Sequence, residues 1–126
     1  MRFYCDGLGC RPGERYELDG SQLPGLSEAL EVAGPVTIVS QMITHGGLKV
    51  ELIEWRNPHP VGEPASRRNQ LGLTHLSFLV DDVDVASRRL IDLGGEVLPS
   101  TRQHPGVDLV FVADPDGTRV ELMGRI

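Results

Sequence analysis

Between residues 73 and 80 the chain alternates, with Leu76, Phe78 and Val80 on one side and His75 and Ser77 on the other. A period of two is that of a strand with one packed face and one open face. The period then changes. Val83, Ala86, Leu90 and Leu93 recur at helical spacing, which predicts a helix over about Asp84 to Leu93. Asp82 or Asp84 caps its first turn, and Gly94-Gly95 supplies the left-handed stop. Glu96 to Leu98 is a short strand candidate. Val107 to Ala113 is a nearly unbroken apolar run, and Asp114-Pro115-Asp116-Gly117 has the composition of a tight turn. Thr118 to Met123 alternates again as the returning arm of a hairpin. The second half thus reads strand, helix and three strands.

The first half ends in the same way. Val36 to Ile43 is strand-like, His45-Gly46-Gly47 turns the chain, and Leu48 to Trp55 runs back. After each turn comes one pattern, Gly47-Leu48-Lys49-Val50-Glu51-Leu52 and Gly117-Thr118-Arg119-Val120-Glu121-Leu122, 70 residues apart. A weaker echo joins the stretch Arg2 to Gly9 to the helix end Arg88 to Gly94. The reading is therefore α+β, with residues 1–55 as module one, 56–72 as a Pro-, Asn- and Arg-rich linker, and 73–126 as module two. A short helix is predicted at Leu26 to Val32. His75 lies 19 residues before Gly94, and the same place before Gly9 would be position −10. Module one is expected to lack its first strand and most of its first helix, to be accounted for by a misassigned start, a fragment or a partner chain.

The alternation also assigns faces. Val120 and Leu122 pack with the apolar side, leaving Arg119, Glu121 and Met123 opposite; Val50 and Leu52 pack inward, leaving Lys49, Glu51, Ile53 and Trp55 opposite. Three strands each place one metal-type ligand on the face away from the core: Glu51, His75 and Glu121. Imidazole nitrogen with carboxylate oxygen suits Zn, Ni, Co, Mn or Fe, and carboxylates sharing one cleft call for a cation between them. His45, His59 and His104 fall in loops and read as ordinary surface. Trp55, on the face of Glu51, reads as lining a pocket or, in slight preference, as closing the core edge.

Charge and composition narrow the partners. A net charge of −6 without a basic stripe argues against nucleic acid, and the pairs Arg67-Arg68 and Arg88-Arg89 read as solvated surface. No apolar run approaches the roughly 20 residues of a membrane span. The first residues lack a signal-peptide pattern, so a cytoplasmic protein is expected. Cys5 and Cys10 are too few for a disulfide scaffold and are not spaced as a redox or zinc pair.

Arg2 to Gly9, Leu48 to Ile53, Gly72 to Asp82 and Asp114 to Leu122 together make the chain resemble the vicinal oxygen chelate superfamily. That superfamily includes glyoxalase I, methylmalonyl-CoA epimerase, extradiol dioxygenases and the fosfomycin and bleomycin resistance proteins. The resemblance implies paired βαβββ modules forming a curled mixed sheet around a metal cleft. It implies Glu51, His75 and Glu121 as ligands of a divalent metal ion, with a fourth ligand on the missing strand, and a homodimer. A carboxylate at position 51 points to the lyase and isomerase branch, in which the metal stabilises an enediolate of a small carbonyl or acyl-thioester substrate. There Glu121 or Glu51 would carry the proton. Ile53 to Pro58 departs from glyoxalase I proper. An extradiol-type dioxygenase and a metal-free small-molecule binding protein of the bleomycin-resistance kind are the alternatives.

Overall fold

The computed structural model describes residues 1–101 and 106–125. They divide into two compact units, Cys10–Gly62 on one hand and Met1–Gly9 with Glu63–Ile126 on the other. The break after Gly62 falls inside the expected linker. The opening residues, read with module one, cluster instead with module two.

The unit Cys10–Gly62 is an antiparallel sheet in the order β1 (Arg11–Asp19), β2 (Thr37–His45), β3 (Leu48–Asn57). The β2–β3 hairpin sets Ile43 opposite Val50 and Met42 opposite Glu51. Strand β1 left no period in the sequence. From Arg11 to Glu17 every residue of it is exposed, so no packed face imposes an alternation. Its ladder is irregular between Pro12 and Arg15, where proline offers no N–H. The Gln41 amide fills that gap, donating to the carbonyls of Gly13 at 3.0 Å and Glu14 at 3.3 Å. The helix predicted at Leu26 to Val32 shrinks to one turn, α1 (Leu26–Ala29). Gly25 gives it no side-chain cap and none of its residues is buried, so nothing extends it.

The second unit holds a mixed sheet ordered β4 (Leu76–Val80), β7 (Arg119–Gly124), β6 (Leu109–Ala113), β5 (Glu96–Val97). Strands β4 and β7 run parallel, and the other pairs are antiparallel. Helix α2 (Val83–Asp92) is capped by Asp82, whose carboxylate accepts from Val85 N at 2.8 Å. Phe78, Val83, Leu90, Val110, Val112, Val120 and Leu122 form the buried core of this unit. Gly95 is obligatory. A Cβ there would stand 2.7 Å from the Phe3 ring and 2.9 Å from the Leu90 carbonyl. Phe3 and Tyr4 lie in a single wide helical turn, Phe3–Gly7, and both are buried. The Tyr4 hydroxyl donates to Asp114 at 2.7 Å, while the other oxygen of Asp114 accepts from Asp116 N and Thr118 N. Three bonds on one carboxylate thus fix the turn that leads into β7.

Two expectations shift. The strand read from Leu73 begins at Leu76, leaving His75 just outside it. The strands group as two sheets, and only the second is mixed. Among the described residues no strand lies on the outer side of β3, where β7 has β4. No helix among them is long and apolar enough to cross a membrane.

Candidate functional site

Strand β7 sends Val120 and Leu122 to the helix side, where both are fully buried, and turns Arg119, Glu121 and Met123 to the other face. Glu121 is flanked in register by Ser77 on β4 and Phe111 on β6. The His75 ring stands edge-on to Phe111, with centroids 5.2 Å apart and planes at 79°. Its Nε2 lies 3.8 Å from Glu121 Oε2, and the two side chains are 31% and 12% exposed. Its Nδ1 lies 2.9 Å from Thr74 Oγ1.

This arrangement suits a cation. With Nδ1–H donating to the threonine hydroxyl, Nε2 turns a lone pair toward a carboxylate, and two acceptors then face one another. Two donors each about 2.1 Å from one ion stand roughly 3.0–3.5 Å apart, so a shift of a few tenths of an ångström closes the pair on a divalent metal. In the other tautomer Nε2–H points toward Glu121 across the same gap. Among the described residues of either unit, no three His, Cys, Asp or Glu side chains gather to hold a metal.

Glu51 belongs to the other compact unit. It sits on β3, exposed, and its Oε1 accepts from the buried Ser40 hydroxyl at 2.5 Å. The structure thus brings His75 and Glu121 together, while Glu51 has its own partner. His45 and His59 are exposed, and Trp55 is half-buried opposite Ile38. His104 lies outside the described residues.

The linker contributes more than its composition suggested. Ser66, Arg68 and His75 reach residues on the Glu121 face of the second sheet. The Arg68 guanidinium lies 4.2 Å from the Phe111 ring centroid, and Arg119 Nη2 donates to the Ser66 carbonyl at 2.6 Å. Arg68 is exposed, as read, but it is stacked rather than merely solvated. These contacts span 43 and 53 residues of chain, and no local pattern announces such a pair. Phe111 was legible only as one more apolar residue in a strand.

The profile of the Glyoxalase/Bleomycin resistance protein/Dioxygenase superfamily matches residues 1–122. The chain belongs to that superfamily. Solved structures agree on the fold. A glyoxalase family protein from Bacillus cereus superposes with a TM-score of 0.73 at 21% identity, over 94% of this chain and 80% of that one. Glyoxalase I from Zea mays gives 0.66 at 17% identity, over 98% of this chain but 39% of its own length. The fosfomycin resistance protein FosX from Listeria monocytogenes, solved with Mn(II) and a sulfate ion, gives 0.57 at 16% identity, over 98% of this chain and 79% of that one. No curated protein matches the chain.

Proposed function

We propose that this superfamily member is a metal-dependent enzyme of lyase or isomerase type, working on the carbon next to a carbonyl in a small carbonyl or acyl-thioester substrate. The observation that carries the reading is the juxtaposition of His75 Nε2 and Glu121 Oε2 on the sheet face away from the helix. Glu51 is the third ligand proposed, on the strength of the Val50-Glu51-Leu52 and Val120-Glu121-Leu122 repeat. A divalent ion, as in the Listeria relative, would supply Lewis-acid polarisation of a carbonyl oxygen. The protein's own groups do the rest. Thr74 fixes the His75 ring, Phe111 keeps one side of Glu121 dry, and a carboxylate, Glu121 or Glu51, carries the proton. A cytoplasmic homodimer belongs to the same proposal, and the outer edge of β3, unpaired among the described residues, favours pairing with another chain.

One observation favours a second reading. The Phe111 ring, with Arg68 over it and His75 at its edge, is also what a metal-free small-molecule binder would present. Elemental analysis of protein purified without chelator separates the two. The enzyme reading expects about one divalent ion per chain, lost in His75→Ala and Glu121→Ala. Equal trace metal in wild type and variants leaves the binder.

A further inference from the structure

Arg2, Arg15, Arg56 and Arg125 each meet a carboxylate. Arg11, Lys49, Arg67, Arg88 and Arg89 show no such pair among the described residues, and neither do Arg68 and Arg119, which are set apart by their contacts on the Glu121 face of the second sheet. Among the described residues neither lies within ion-pair distance of an acidic group, although the chain carries 18 acidic residues against 12 Lys and Arg. Both lie on the Glu121 face of the second sheet. Arg119 is two residues before Glu121 on the same side of β7, about 6.5–7 Å along the strand. Arg68 covers Phe111, the cross-strand neighbour of Glu121. One tooth of the Arg119 fork, Nη2, is held by the Ser66 carbonyl; the other, Nη1, is buried with no hydrogen-bond partner. A buried charged donor without an acceptor is costly to keep, and its natural occupant is an anion.

We propose that Arg68 and Arg119 seat an anionic group, a carboxylate or a phosphate, on the molecule that reacts at His75 and Glu121. The proposal takes its reacting end from the function proposed above, while the anion seat stands on the two guanidiniums alone. Arg119 is the fixed part, oriented by Ser66. Arg68 is the mobile part, because an exposed guanidinium over a ring swings to an incoming anion at little cost. Nη1 is shut off from solvent, so seating the anion requires the Ser66 segment that holds Nη2 to give way. The two positive charges also offset the repulsion that Glu121 exerts on an anionic substrate.

The test uses the full chain, stripped of metal with chelator and titrated with inorganic phosphate and, separately, with acetate. Binding is followed by calorimetry and by the side-chain Nε–H resonances of the arginines. The seat predicts saturable binding that moves the Arg68 and Arg119 resonances. It predicts affinity weaker by about tenfold in Arg119→Gln and in Arg68→Gln, and unchanged in Arg125→Gln. The anion that binds more tightly identifies the group, phosphate or carboxylate. Arg119→Lys keeps the charge without the fork and reports the same loss should Arg119→Gln fail to fold. Absence of saturable binding by either anion, or wild-type affinity in both Arg68→Gln and Arg119→Gln, overturns the proposal. A wild type that binds anion as predicted but never metal upholds the seat and sinks the catalytic reading alone.

Discussion

The hairpins β2–β3 and β6–β7 carry one sequence motif in two different settings. In the second, Val120 and Leu122 are fully buried, because β7 has β4 on one side, β6 on the other and α2 beneath. In the first, Val50 and Leu52 are only half-buried, and among the described residues β3 has a partner on one side alone. The glutamates follow their strands. Glu121 is largely sheltered beside His75, while Glu51 is exposed and held by the Ser40 hydroxyl. Identical motifs therefore yield one packed strand and one that awaits a neighbour, which places the difference in the surroundings rather than in the motif.

Stability measurements should expose this first. Leu122→Ala is expected to cost about 3 kcal/mol and Leu52→Ala about half of that, read from the denaturant midpoint of each variant. Equal losses would break the comparison, since they would mean that β3 is as well packed as β7. The turns differ next. Asp114→Ala removes the acceptor of Tyr4, Asp116 N and Thr118 N and should cost about 2 kcal/mol, measured the same way. On the first module's side, Ser40→Ala should cost only about 1 kcal/mol, because Glu51 is exposed and water replaces the lost donor.

The smallest effect is a pH effect. The backbone N–H of Ser21, and secondarily its side chain, hold the Asp19 carboxyl below its ordinary range. A depressed folded pKa means stability that is present above the unfolded value, 3.8, and is lost as pH falls through the folded one. Asp19→Asn should therefore lower stability slightly at neutral pH and flatten the acid limb, so that the two curves converge as pH falls through the folded pKa. A difference between variant and wild type that stays constant from neutral pH down through about pH 3 would show that the turn after β1 does not form this bond in solution.

How much of this was legible in the sequence follows from where packing leaves a period. The α2 helix, its Asp82 cap and the Asp114 turn are written locally, since each needs only neighbours within a few residues. The motif at Glu51 and Glu121 was visible because it occurs twice. Strand β1 was not, because an edge strand with no buried face has no alternation to show. His75 and Glu121, both candidates from the sequence, lie near one another, but the position of His75 just outside β4 depends on where the parallel ladder starts, which β7 decides. Arg68, Arg119 and Phe111 escaped notice as a group because their contacts join the linker to a sheet far away in the chain.

The central proposal is that Glu51, His75 and Glu121 serve one metal ion. Equilibrium dialysis against Mn(II), on wild type, His75→Ala, Glu121→Ala, Glu51→Ala and the double glutamate variant, tests it most directly. The account predicts one saturable site in wild type, weakened by about tenfold or more in each single variant, with the double variant losing less than the two single losses combined. Wild-type affinity in Glu51→Ala alongside a loss in Glu121→Ala would contradict it, leaving a site that belongs to the second module alone.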